Sequence, residues 1–147
     1  VCPQDLKAEH DKWVEKRNRQ REREQTEQQR KKRIEDEKEY LKAKGIFFGL
    51  VFADSLICVK VIESVEEMTE EGRVMHHCVG GYHKRKDSLI LSATIKGERI
   101  ETVEVCLKTF EVVQSRGVCN SNTEYHERII ALVNKNANLI RERMKAA

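Results

Sequence analysis

The stretch "LILSATIKGERIETVEVCLKTFEVVQSRGV", Leu89–Val118, decides the fold. Three runs rich in β-branched residues, 89–95, 100–107 and 111–118, are separated by Lys96-Gly97-Glu98 and by Lys108-Thr109, both with turn chemistry. Runs joined this closely predict an antiparallel meander. Along the middle run, alternation sends Val103, Val105 and Leu107 to one face and Thr102, Glu104 and Cys106 to the other. The third run likewise separates Val113 and Ser115 from Val112, Gln114 and Arg116. If the turn at 108–110 has three residues, Glu104 faces Gln114 and Thr102 faces Arg116 in a polar row that Ser88 and Ser92 extend. A two-residue turn slips the register by one and dissolves the row.

Upstream, "IFFGLVFADSLICVKVI" (46–62) predicts a hairpin with strands 46–53 and 56–62 around Asp54-Ser55, buried on both faces by its near-continuous hydrophobicity. Ser64 and Glu67 form a capping-box pattern that opens a helix over 65–78, with Val65, Met68, Gly72, Met75 and Val79 on one face. Gly80 and Gly81 stand where such a helix stops. From 122 or 123 onward, Tyr125, Ile129, Leu132, Val133, Ile140 and Met144 keep a helical stripe to the end. Between Asp5 and Lys44 there is no glycine or proline, and Glu, Lys, Arg and Gln dominate, which predicts one long helix closed by Gly45 in a left-handed turn. At about 1.5 Å per residue it would reach roughly 60 Å, so it is expected to project or to fold back. The expected class is α+β: residues 1–45 a charged helical extension, and residues 46–147 a compact domain of hairpin, helix, three-stranded antiparallel meander and C-terminal helix.

The chain has 147 residues, 36% charged and 39% hydrophobic, with a net charge of +3. Residues 1–45 hold 14 Lys/Arg and 11 Asp/Glu and the rest hold 14 of each, so the excess lies in the first third. No apolar run approaches the roughly 20 residues of a membrane span, and no signal-peptide order is present, so a cytoplasmic protein without membrane attachment is expected. Five cysteines, odd in number and without CxxC spacing, argue against a disulfide framework and a zinc ribbon. The chain opens on Val1, which suggests a piece of a longer protein. Along the long helix the apolar residues gather at the two ends, Leu6, Trp13 and Val14 at one and Ile34, Tyr40 and Leu41 at the other. The helix therefore reads as a charged spacer or a docking element for a protein partner. Its interleaved glutamates weigh against a surface for nucleic-acid phosphates, and a paired helix would carry a longer apolar stripe.

"VMHHCVGGYHKRKDS", Val74–Ser88, is the densest concentration of reactive side chains. Adjacent helical residues point about 100° apart, so His76, His77 and Cys78 cannot all ligate one ion on a regular helix, and no metal or cofactor is assigned. Cys78 with His77 could form a nucleophile and base, but the negative end of a helix opposes a thiolate there. The plainer reading makes Cys78 a small buried residue and one histidine a cap for the last carbonyls. "QSRGVCNSN", 114–122, is the second polar stretch, where Arg116 and the start of the last helix could receive an anion.

The ordered pieces "CPQDLKAEHD", "MHHCVGGY", "TVEV" and "VVQSRGVCN" resemble the PcfJ-like family, encoded on conjugative plasmids, integrated elements and phages of bacteria. The matching positions are Pro3, Asp5, Leu6, His10 and Asp11, then Met75, His77, Cys78, Val79 and Tyr82, then Glu104, Gln114, Gly117 and Asn120. The resemblance implies a mobile-element setting without a settled activity, and it singles out Cys78, Tyr82, Glu104, Gln114 and Asn120 as candidates for one shared cleft. Three classes of function stay open. A nucleic-acid-binding module in transfer or maintenance would use the loop His83, Lys84, Arg85, Lys86 together with Tyr82, Arg116 and Asn120 against phosphates. An enzyme acting on nucleic acid or nucleotides would use Glu104 as base, His77 as acid or base, Cys78 beside them, and Gln114, Arg116 and Asn120 to hold an oxyanion or phosphate. A helical scaffold would use the N-terminal helix.

Overall fold

The computed structural model describes residues 3–147, with side chains from residue 8 onward. Cys2 and the side chains of Pro3, Asp5 and Leu6 lie outside the described residues. The chain divides into two compact units, Val1–Asp36 and Glu37–Ala147. Helix α1 (Pro3–Lys44) supplies the first, where Trp13 is 58% exposed, stacks on His10 and has the Arg17 guanidinium over its ring. Its last turns belong to the second unit. There the buried Tyr40 hydroxyl donates to the Ile62 carbonyl, and the Lys44 ammonium, 3% exposed, donates to the Lys86 carbonyl at 2.9 Å. Burial lowers the Lys44 pKa from its ordinary value, against the smaller opposing pull of Asp87.

The second unit is the expected α+β fold. Its five strands are β1 (Val51–Ala53), β2 (Cys58–Val61), β3 (Ser88–Ile95), β4 (Glu98–Cys106) and β5 (Val112–Arg116). They form one antiparallel sheet in the order β1-β2-β3-β4-β5. Helix α2 (Val65–Met75) lies between β2 and β3 in the chain, while α3 (His126–Lys135) and α4 (Ala137–Ala146) follow the sheet. Odd-numbered residues of β3 and β4, namely Leu89, Leu91, Ala93, Val103 and Val105, pack against Ile129, Leu132, Val133 and Ile140 in the main core. The opposite face carries Ile90, which joins Tyr40, Ile62, Met68 and Val79 in a smaller cluster. Around Ile90 that face is polar.

Several boundaries differ from the sequence expectation, each for a local reason. The hairpin strands are short because Gly45–Phe47 is a 3-10 turn and the left-handed residue is Gly49 (φ 87), not Gly45. The hairpin is not buried on both faces, since Val51 is 48% exposed on the edge strand and Lys60 is exposed on β2. Helix α2 stops at Met75 because His76 adopts left-handed geometry (φ 52), so Gly80 and Gly81 belong to a separate 3-10 segment, Cys78–Lys84. The last helix breaks at Asn136, whose side-chain amide donates back to the Leu132 carbonyl at 2.8 Å.

The β4–β5 register places Glu104 opposite Gln114 and Thr102 opposite Arg116. It does so without the three-residue turn. Cys106 N–H donates to the Glu111 carbonyl at 2.9 Å across residues 107–110, with Phe110 left-handed (φ 60), and a bulge beside Glu104/Val105 restores the phase. Beyond β5, Gly117 is buried where a Cβ would meet the Thr123 side chain at 2.8 Å and the Ile100 and Ser121 carbonyls at 3.1 Å. Gly117→Ala is therefore expected to cost about 1–3 kcal/mol by overpacking, read as a lower urea midpoint at unchanged slope.

Candidate functional site

Three buried carboxylates organise the polar parts of the sheet. Glu104, 4% exposed, points from β4 to the face that carries Ile90. Arg85 Nη1 donates to both its oxygens at 2.9 Å, Ser88 Oγ to Oε2 at 2.6 Å and Gln114 Nε2 to Oε1 at 2.9 Å. Each oxygen thus accepts twice. A carboxylate filled in this way holds donors in place and has no lone pair left for a substrate proton. Arg85 in turn lies over the Tyr82 ring, 3.6 Å from its centroid, with 46% of its side chain still exposed. Glu104→Gln would remove the anion and turn an amide N–H toward the donors of Gln114 or Ser88. The expected loss is about 2 kcal/mol, measured by urea unfolding.

The second carboxylate, Glu71, belongs to α2 and is fully buried. It accepts from Ser92 Oγ at 2.9 and 3.0 Å, from Arg99 Nε at 2.6 Å and from Thr102 Oγ1 at 2.6 Å. His77 Nε2 lies 3.0 Å from the same Thr102 oxygen. The hydroxyl has one proton, and Glu71, paired with the Arg99 guanidinium, accepts at both oxygens. The proton therefore goes to Glu71, and His77 donates through Nε2–H. This tautomer leaves Nδ1 shut off from solvent and without a hydrogen-bond partner on another residue. Burial lowers the His77 pKa below 6.5, outweighing the opposite pull of its own backbone and of Glu71. The ring is thus neutral at neutral pH.

The third carboxylate, Glu101, is also fully buried but points to the other face. It accepts from Ser115 Oγ at 2.6 Å, from Thr123 N–H at 2.9 Å and Oγ1, and from His126 Nδ1 at 2.7 Å. Burial alone would raise its pKa, but the hydrogen bonds from Ser115, Thr123 and His126 outweigh that and hold it below the usual carboxylate range. This network ties the start of α3 to the sheet.

A cleft of about 200 Å³ gathers His77, Cys78 and Tyr82 from the segment after α2, Thr102 and Glu104 from β4, and Gln114, Arg116 and Asn120 from β5 and the turn after it. Residues matched across three separate stretches of sequence thus line one hollow. Asn120 reaches it through a left-handed backbone (φ 61) that asparagine tolerates better than most residues. Arg116 Nη1 donates to Asn122 Oδ1 at 3.2 Å. Cys78 is exposed rather than buried, and it lies outside α2, which ends at Met75. The basic loop is divided in role. Lys84 and Lys86 are exposed, Arg85 is held by Glu104, and His83 Nδ1 bonds the Gly80 carbonyl at 3.0 Å.

Sequence reasoning placed these cleft residues together but missed Glu71, Arg99 and Glu101. The available signal was phase. Glu71 falls three residues after Met68 and four before Met75 on the buried stripe, and Glu101 alternates with Val103 and Val105. A carboxylate in step with the core period is one that the fold buries and must pair.

Among the described residues, no helix is long and apolar enough to cross a membrane. No curated protein and no solved structure matches the chain. The family model for PcfJ-like proteins matches residues 1–130, which include α1, the whole sheet and every residue of the cleft, and the chain therefore belongs to the PcfJ-like family.

Proposed function

We propose that the cleft is the active site of an enzyme acting on a phosphate-bearing substrate, with nucleic acid or a nucleotide as the class. The observation that carries this reading is the unpartnered Nδ1 of His77, locked in its tautomer by Thr102 and Glu71 on the wall of a cleft lined by amide and guanidinium donors. A base that is itself oriented by a third group is the arrangement that proton transfer requires. In this reading Nδ1 takes the proton of an attacking water or hydroxyl as its oxygen bonds to phosphorus. The bond from phosphorus to the leaving oxygen breaks, and the proton passes on to that oxygen. Arg116 and Asn120 hold the charge that builds on the phosphoryl oxygens, while Gln114, whose amide N–H groups go to Glu104 and the Tyr82 hydroxyl, braces the wall beside them. Glu104 positions Arg85 and Gln114. Because Nδ1 is shut off from solvent, the wall around His77 must open when substrate binds.

Exposed Lys84 and Lys86 favour a second reading, a nucleic-acid-binding module of a mobile element without catalysis. One experiment separates the two. The purified chain is incubated with labelled single- and double-stranded DNA and RNA at two salt concentrations, and both binding and product formation are followed. Salt-sensitive binding weakened by Lys84→Glu and Lys86→Glu, with product formation that needs His77, supports the enzyme. Binding without turnover leaves the module, and neither binding nor turnover on any of the four removes both.

A further inference from the structure

The fold carries a second recognition surface, which shares Gln114 and Arg116 with the cleft but runs along the free edge of β5 against α3. Strand β5 ends the sheet order, and among the described residues none of 112–116 makes a backbone hydrogen bond outside the sheet ladder. An edge of this kind is a template for one more strand. Helix α3 runs beside it and presents His126, Ile130 and Asn134, each four residues from the last and so on one helical face, to a groove of about 600 Å³ along β5. The His126 ring is fixed in that wall by the buried Glu101 at 2.7 Å. Val113, 59% exposed, stands on the strand side of the same groove.

The two ends of the groove differ in charge, with Glu111 at one and Arg116 at the other, both exposed. Antiparallel addition continues the pattern of the whole sheet and is the slightly more stable pairing. From this geometry we infer that the β5–α3 groove binds an extended peptide segment of a partner protein as a sixth, antiparallel strand. Main-chain bonds to β5 give the affinity, and the side chains set the register. An acidic residue near the peptide's N-terminal end meets Arg116, apolar residues meet Val113 and Ile130, and a basic residue near its C-terminal end meets Glu111.

The test uses the full chain and a set of end-capped, fluorescent hexapeptides, Asp-X-Thr-X-Thr-Lys with X as Val, Ile, Leu or Phe, so that the second X falls opposite Val113, read by anisotropy. Saturable binding is expected for at least one, weakened tenfold or more when alternate peptide amides are N-methylated or when the charged ends are exchanged. Ile130→Glu, a change on the groove wall and outside the cleft, is expected to weaken it as much, with thermal unfolding confirming that the variant is folded. No saturable binding by any of the four up to about 1 mM overturns the inference, as does equal binding of the N-methylated peptides. So does a concentration-dependent dimer of the chain that excludes the peptides, which would make a second copy the occupant.

Discussion

Replacing Glu71 with alanine is expected to lower stability by about 3–5 kcal/mol, because it leaves the partly buried Arg99 guanidinium and two buried hydroxyls facing an empty site. The carboxylate is 1% exposed and receives bonds from Ser92, Arg99 and Thr102. All of them were arranged for an anion that would then be missing. Glu71→Gln keeps the shape and one acceptor oxygen, so it should cost less than alanine while still disturbing the hydroxyl order, since an amide can donate where Glu71 only accepts. Urea unfolding of both variants tests the ranking: the alanine variant should shift the midpoint more, at similar slope. Equal, small shifts would mean that the fold does not depend on this carboxylate to satisfy Ser92, Arg99 and Thr102.

His77→Gln is expected to reduce turnover by about 10²–10⁴-fold, the range typical of a lost general base, with little loss of nucleic-acid binding. The pH dependence has a definite sign. Because the folded His77 pKa lies below 6.5, the base is active above that folded value, and turnover falls as pH drops through it. Stability follows in the same direction: the unfolded chain takes up the proton first, so His77 contributes stability that is present above about pH 6.5 and is lost as pH falls through the folded value. The acid limb of the rate profile, measured beside the unfolding midpoint, checks both. Thr102→Val, which removes the hydroxyl between His77 and Glu71 and leaves the ring in place, should reproduce much of the loss in turnover. A wild-type rate in either variant would return His77 to a structural role.

The parts of the fold governed by periodicity were legible in the sequence. The alternation through Thr102 and Glu104 placed them on one face, and the hairpin and the three-stranded meander followed from turn residues such as Lys96-Gly97, both left-handed in the structure (φ 51 and 84). Single-residue backbone choices were not legible. His76 and Phe110 adopt left-handed geometry where glycine would be the ordinary choice, so the end of α2 and the turn before β5 could not be located from glycine positions. The bulge that puts Gln114 opposite Glu104 depends on how many residues the turn holds, which alternation does not specify. In the site, the residues that line the cleft carried recognisable chemistry. Those that orient them did not. Glu71 carried no signal by residue type, because a carboxylate looks solvated until its helical phase is compared with that of Met68 and Met75. Cys78 was assigned to a buried position by its residue type, yet it is exposed because the helix ends three residues earlier.

The most direct test of the account is the protonation state of one ring. A ¹⁵N-resolved imidazole spectrum of the folded chain at neutral pH should show His77 neutral, with its proton on Nε2 and an unprotonated Nδ1, titrating only below 6.5. A proton on Nδ1, or a ring already cationic at neutral pH, would contradict the relay from Glu71 through Thr102 and with it the base on which the proposed chemistry depends.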